Sequence, residues 1–281
     1  MTRILDFNGR DAHRTVTVGA IAALKGSGRQ YVQVTAGTEE EAAAAEAAGI
    51  DMVVCLAGAV PDVRRGSSRL FVTAAIDFGG EVTLDDLLAT AFRSLSAGAD
   101  AVITARRLDA VRLLAAEGVP VMGHLGFVPK RSNQFGGVRM VGRTADEATT
   151  LWRQFQELED AGAFAVECEL IPAQVLAQIT PRTSMATISL GSGRDADVMF
   201  LFQSDIVGES PRVPRHARTY GDVASLQRRI VEERVRALTA FRADVLNGSF
   251  PGDSEVGAIA PEQLAAFIES LGCGDQPAEA D

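Results

Sequence analysis

The stretch Val119-Pro120-Val121-Met122-Gly123-His124-Leu125-Gly126 is a short apolar β run that stops at a glycine, a histidine and another glycine. It reads as a buried strand that carries one polar side chain to its end. Further along, Ala163-Phe164-Ala165-Val166-Glu167-Cys168-Glu169-Leu170-Ile171-Pro172 has the same form with carboxylates in place of the imidazole. Glu167 and Glu169 alternate with Val166 and Cys168, so both carboxylates point to one side of their strand.

Runs of the same kind begin near residues 30, 51, 69, 100, 185 and 198, making eight with these two. Most are followed by a helical stretch. Thr38-Glu39-Glu40-Glu41 opens the alanine-rich run Ala42–Ala48 with an N-cap and first-turn acids, and Gly49 stops it. Thr83-Leu84-Asp85-Asp86 caps a helix to Ser96, Leu108–Glu117 ends at Gly118, and Thr144-Ala145-Asp146-Glu147 opens a helix to about Ala161. Pro172–Ile179 has proline in its first turn, and Asp222–Leu246 reads as one long helix. Eight strands alternating with helices favour a (β/α)8 TIM barrel over a doubly wound sheet. Between Leu56 and Arg69 only Ala57–Ser68 intervenes, too little for a full crossover helix. The expectation is therefore a barrel with a shortened or missing second helix. Residues 1–29 form an N-terminal extension with a short helix near Val18–Leu24. The barrel domain spans 30–270, and 271–281 is a polar, flexible tail.

Composition narrows the class. A chain of 281 residues that is 47% hydrophobic can bury a large core. No window approaches the roughly 20 apolar residues that cross a bilayer, and the first residues lack a signal-peptide hydrophobic region, so a cytoplasmic location is expected. The net charge of −10 argues against nucleic acid and anionic membranes as partners. Cys55, Cys168 and Cys273 have no paired spacing, which suggests neither a disulfide framework nor a thiolate zinc site. Cys55 and Cys168 read as core thiols.

In such a barrel the strand ends and the loops after them form the active mouth. That rule selects Thr35, Ala57, Asp77, Ala105 to Arg107, His124, Glu169 and Gly191-Ser192-Gly193. Glu167 joins them because it shares a strand face with Glu169. His124 is either a ligand or a structural hydrogen-bond donor. The two glutamates suit a general base with a raised pKa, a metal ligand, or an ion pair with an arginine inside the barrel. Arg106 could clamp an acidic substrate or simply sit at a solvated helix start. The amides around Ser192 could receive a carboxylate or phosphate. The long glycine-containing loop Gly126–Gly142 is of the kind that carries function.

Together, Val121 to Pro129, Asn133-Gln134-Phe135-Gly136-Gly137, Val141-Gly142-Arg143-Thr144, Glu169-Leu170-Ile171-Pro172 and Gly248-Ser249-Phe250-Pro251-Gly252 resemble ketopantoate hydroxymethyltransferase. The resemblance covers roughly residues 30–255 and is strongest from Gly118 onward. It implies a (β/α)8 barrel of the phosphoenolpyruvate mutase/isocitrate lyase superfamily that assembles into homo-oligomers. It also implies transfer of a one-carbon unit from 5,10-methylenetetrahydrofolate to an α-keto acid chelated by Mg²⁺. Glu169 matches the family's catalytic glutamate, which removes the proton beside the ketone, and His124 matches the histidine near the substrate.

The first half departs from the family. The family's Gly-Asp-Ser, with a metal-binding aspartate, is Leu56-Ala57-Gly58 here; its second metal aspartate falls on Ala75; its Lys-Ile-Glu strand end reads Ile103-Thr104-Ala105. Alanine offers no ligand oxygen, so the Mg²⁺ site is either abandoned or rebuilt on Asp77 and Glu167. The expected function is aldol-type C–C bond formation or cleavage on an α-keto or related carboxylic acid, with Glu169 as base and without the standard Mg²⁺ site. A genuine ketopantoate-forming enzyme with a rebuilt metal site, and a noncatalytic metabolite-binding barrel, are the alternatives. Thr35, Arg106, Ser192 and Glu167 are the substrate-binding candidates, Asp77 the metal candidate.

Overall fold

The computed structural model describes residues 3–76 and 80–272, so Asp77, Cys273 and most of the expected tail lie outside the described residues. The chain divides into two compact units, Met1–Asp222 and Val223–Asp281. The first unit carries the barrel. Its strands are β1 (Tyr31–Thr35), β2 (Met52–Leu56), β3 (Phe71–Ala75), β4 (Ala101–Ile103), β5 (Val121–Gly126), β6 (Ala165–Glu169), β7 (Ala186–Leu190) and β8 (Val198–Leu201). All pair in parallel with their neighbours, and β8 returns to β1, so the sheet closes.

The helices begin where the caps predict. In α1 (Glu39–Ala47) and α3 (Leu84–Ser96), Thr38 with Glu41 and Thr83 with Asp86 form reciprocal capping boxes. Thr144 accepts from the Glu147 N–H at the start of α5 (Ala145–Asp160). The second helix is present but short. A 3₁₀ turn, Ala57–Ala59, leads into α2 (Val60–Gly66), with proline in its first turn. α4 (Leu108–Ala116) and α6 (Ala173–Ile179) follow β4 and β6. The connection that lacks a crossover helix is the one between β7 and β8, where Asp197 takes over. Its Oδ2 accepts from the Thr187 amide (2.8 Å) and hydroxyl (2.9 Å) and meets Lys25 Nζ at 2.7 Å. After β8 the short α7 (Gln203–Val207) packs on β1.

Two apolar shells follow from the alternation of side chains along the strands. Val34, Val53, Val72, Val102 and Val166 face the helices, with Phe155, Leu158 and Leu176 among their partners. Met52, Phe71, Ala101, Met122, Ile188 and Phe200 fill the interior, and Val16, Ile21 and Leu24 of the N-terminal segment join them. Helix Val18–Ala22, capped by Thr17, thereby closes the end of the barrel where the strands begin. Cys55 and Cys168 are buried and free, as expected of core thiols. Burial pushes the Cys55 thiol up to about 12, against the opposing pull of the Arg64 charge.

The second unit holds α8 (Val223–Asn247) and α9 (Pro261–Gly272). No helix among the described residues is long and apolar enough to cross a membrane.

Candidate active site

Two glycines bring the ends of β5 and β6 together. A Cβ on Gly123 would lie 2.4 Å from Leu158 Cδ2, so α5 packs directly on the strand. At Gly126 the backbone turns to φ +89°, and a Cβ would lie 2.2 Å from the Glu169 carbonyl oxygen. Only glycine permits that approach. It lets the Phe127 N–H donate to that same carbonyl at 2.7 Å. In register, His124 is opposite Glu167, and Gly126 is opposite Glu169.

His124 Nε2 lies 3.1 Å from the Phe127 carbonyl oxygen, 3.1 Å from Glu169 Oε2 and 3.9 Å from Glu167 Oε1. A carbonyl can only accept, so Nε2 carries a proton and donates toward the carbonyl and Glu169. Burial alone would lower the imidazole pKa. The hydrogen bond to Glu169, the charges of Glu167 and Glu169 and the Phe127 carbonyl outweigh it, and the net direction is upward. Glu167 is 6% exposed and accepts no hydrogen bond among the described residues. Burial raises its carboxyl pKa and the Glu169 charge adds to that, with the His124 charge opposing. Glu169 spends Oε2 on His124 and has no other side-chain hydrogen bond among the described residues.

Ser192 fixes the backbone beyond Glu169 instead of meeting a ligand. Its hydroxyl donates to the Cys168 carbonyl (2.7 Å) and accepts from the Ile171 N–H (2.8 Å), and the residue is 1% exposed. Between them, Leu170 adopts φ 50°, the left-handed region for a non-glycine residue. Arg106 is likewise turned away, its Nη1 and Nη2 donating to the carbonyls of Glu81 (2.8 Å) and Val82 (3.0 Å). Neither residue lines the cavity at the strand ends.

That cavity, of about 380 Å³, does receive Thr35, His124, Glu167 and Glu169. The Thr35 hydroxyl also accepts from the Gln203 N–H at 2.9 Å, tying β1 to α7. The rest of the wall is mostly apolar, including Val54, Leu56, Ile103, Leu190, Phe200 and Phe202. Sequence reading overlooked the last two. Their rings stand 5.6 Å apart at the end of β8, where alternate aromatic positions on a closing strand were the available signal.

Of the positions where the family resemblance expects metal-binding acids, Ala75 and Ala105 line the cavity, while Leu56 and not Ala57 occupies the β2 end. Methyl and isobutyl groups offer no oxygen ligands, so these residues do not fit Mg²⁺ at that wall. Asp77, the proposed substitute, is outside the described residues. On the opposite wall, ligand atoms of His124, Glu167 and Glu169 all lie within 4.8 Å of one another, a spacing that could hold a cation.

A family model described as ketopantoate hydroxymethyltransferase matches residues 56–253, across both strand ends and the long loop. The chain belongs to the ketopantoate hydroxymethyltransferase family. It is an enzyme family, and curated relatives carry its systematic name. The 3-methyl-2-oxobutanoate hydroxymethyltransferase of Hyperthermus butylicus is 34% identical over 92% of this chain and 98% of its own length. That of Thermobifida fusca is 32% identical over 87% and 94%. Among solved structures, phosphonopyruvate hydrolase aligns with TM-score 0.50 at 13% identity, covering 92% of this chain and 97% of its own. At that identity the likeness speaks for the barrel alone.

Proposed function

We propose that this member of the ketopantoate hydroxymethyltransferase family forms or cleaves a C–C bond at the carbon beside a carbonyl, with Glu169 as general base and without Mg²⁺ at the family position. The observation that carries the reading is the pairing of two buried carboxyls in different surroundings. Glu169 accepts from the His124 N–H, whereas Glu167 accepts no hydrogen bond among the described residues and burial raises its pKa. Two neighbouring carboxyls in such unlike surroundings suit a division into a base and an acid.

The Glu169 carboxylate takes the proton from the carbon, the C–H pair becomes the C=C bond of an enol, and the carbonyl π pair moves to oxygen. That oxygen takes the proton of Glu167. His124 acts as a positioning residue, since its Nε2–H keeps one Glu169 oxygen occupied and turned toward β5. The enol C=C pair then adds to the carbon of a formaldehyde unit, whose C=O π pair moves to its oxygen and takes the proton held by Glu169, while the substrate carbonyl re-forms and its O–H proton returns to Glu167. By family analogy 5,10-methylenetetrahydrofolate, with one water, supplies that unit as co-substrate and leaves as tetrahydrofolate. Assembly into homo-oligomers is part of the same analogy.

Proton exchange between solvent deuterium and the carbon beside the carbonyl, followed by NMR, tests the reading without the co-substrate. Glu169→Gln should keep the wild-type circular dichroism spectrum and lose exchange by at least about 10²-fold. A folded, active variant removes Glu169 from the role of base. Exchange should survive treatment with a chelator, and its loss would assign His124, Glu167 and Glu169 to a cation instead.

A further inference from the structure

We infer that the cavity takes an uncharged carbonyl compound flanked by apolar groups, in preference to a free α-keto carboxylate. The inference rests on the reaction proposed above and names its substrate class. Among the described residues, no lysine or arginine of the barrel unit lines the cavity. The charged groups that do line it are His124, Glu167 and Glu169, all gathered on the β5–β6 wall. The imidazole is already committed to Glu169 and to the Phe127 carbonyl. Thr35 supplies a hydroxyl, a neutral donor at most.

The opposite wall decides the matter. An α-keto acid needs something to receive its carboxylate next to the reacting carbonyl. On the wall where the family resemblance places metal and charge stand Leu56, Ala75, Ile103 and Ala105. Arg106, the nearest arginine in sequence, spends its guanidinium on two backbone carbonyls. A carboxylate entering here would lose its water, gain no uncommitted cation among the described residues and meet the Glu167 and Glu169 side chains, whereas an alkyl or aryl group would gain contact with Leu190, Phe200 and the methyl groups. Discrimination thus comes from an unpaired charge on the rejected ligand, the more effective half of specificity.

A matched pair tests this on the full chain: 3-methylbutan-2-one and 3-methyl-2-oxobutanoate share the isopropyl group and differ in methyl against carboxylate. Deuterium exchange at the branched carbon is read for each relative to its rate in buffer, and binding of each is read in parallel by saturation-transfer NMR. The ketone should show at least about tenfold greater enhancement and the stronger binding signal. Greater enhancement or tighter binding of the keto acid overturns the inference, as does failure of both to bind. If neither exchanges while the ketone alone binds, the substrate class stands and the base role of Glu169 falls. Leu56→Arg places a guanidinium on the wall without touching His124, Glu167 or Glu169. It should shift the ratio toward the keto acid by about tenfold, and an unchanged ratio counts against the inference.

Discussion

His124 stands among three oxygens, and its proton is what makes the arrangement stable. Glu167 lies buried beside it with no hydrogen bond among the described residues, and burial favours its neutral form. Both groups have folded-state pKa values raised above their ordinary ones, from 6.5 for the imidazole and 4.5 for the carboxyl. For such groups the stabilisation is complete below the ordinary value and is lost as pH rises through the folded one. The midpoint of thermal unfolding should therefore fall as the buffer is taken from about pH 5 to about pH 9. Glu167→Gln, which keeps a neutral side chain of the same shape, should flatten part of that decline. A profile for the variant that falls as steeply as the wild type's would mean that Glu167 is already ionised in the folded protein. Glu167→Gln should also slow exchange, since an amide donates a hydrogen bond and cannot deliver a proton.

At the scale of elements, the site depends on how closely β5 approaches β6. Gly126 sets that distance, because a Cβ there would sit 2.2 Å from the Glu169 carbonyl and the backbone is at φ +89°. Gly126→Ala should push the two strand ends apart, weaken the His124–Glu169 hydrogen bond and lower exchange by at least about tenfold, at about 1–3 kcal/mol of stability in urea titration. A wild-type exchange rate would show that the strand ends can separate without cost to the chemistry. The eight strands and most helices were legible in the sequence, since capping threonines, stop glycines and apolar runs act locally. The shortened α2 was legible from chain length between Leu56 and Arg69. The missing helix between β7 and β8 was legible too, since the run near 185 passes directly to the one near 198, but the way Asp197 ties those strands through Thr187 and Lys25 rests on contacts between distant residues that no local pattern displays.

At the scale of the whole molecule, the barrel is closed at its base by charge as well as by apolar packing. Asp100, at the start of β4, accepts from Arg14 Nε (2.8 Å), Arg64 Nη2 (2.5 Å) and the Val72 N–H (2.9 Å). One carboxylate thereby joins the N-terminal segment, α2 and β3. Arg64 is buried enough for desolvation to lower its pKa to about 10, with the Asp100 charge opposing that fall. Removing the acid leaves two largely buried guanidinium groups uncompensated. Asp100→Ala should cost about 3 kcal/mol in equilibrium denaturation while leaving substrate preference unchanged, and a near-neutral result would show that the network contributes little.

The sequence by itself determined the barrel, the family and the two motifs that carry His124 and Glu169, the proposed base, because Gly123-His124-Leu125-Gly126 and Glu169-Leu170-Ile171-Pro172 are contiguous and their alternation decides which side chains face inward. It also showed alanines where metal ligands were expected. What only the tertiary structure decided is which polar side chains reach the cavity. Ser192 and Arg106 stand at strand ends in the sequence, yet one is consumed by the backbone around Glu169 and the other by the carbonyls of Glu81 and Val82. Whether a hydroxyl or guanidinium is free to bind a ligand depends on which unpaired backbone group lies within its reach. That is settled by packing between elements far apart in the chain.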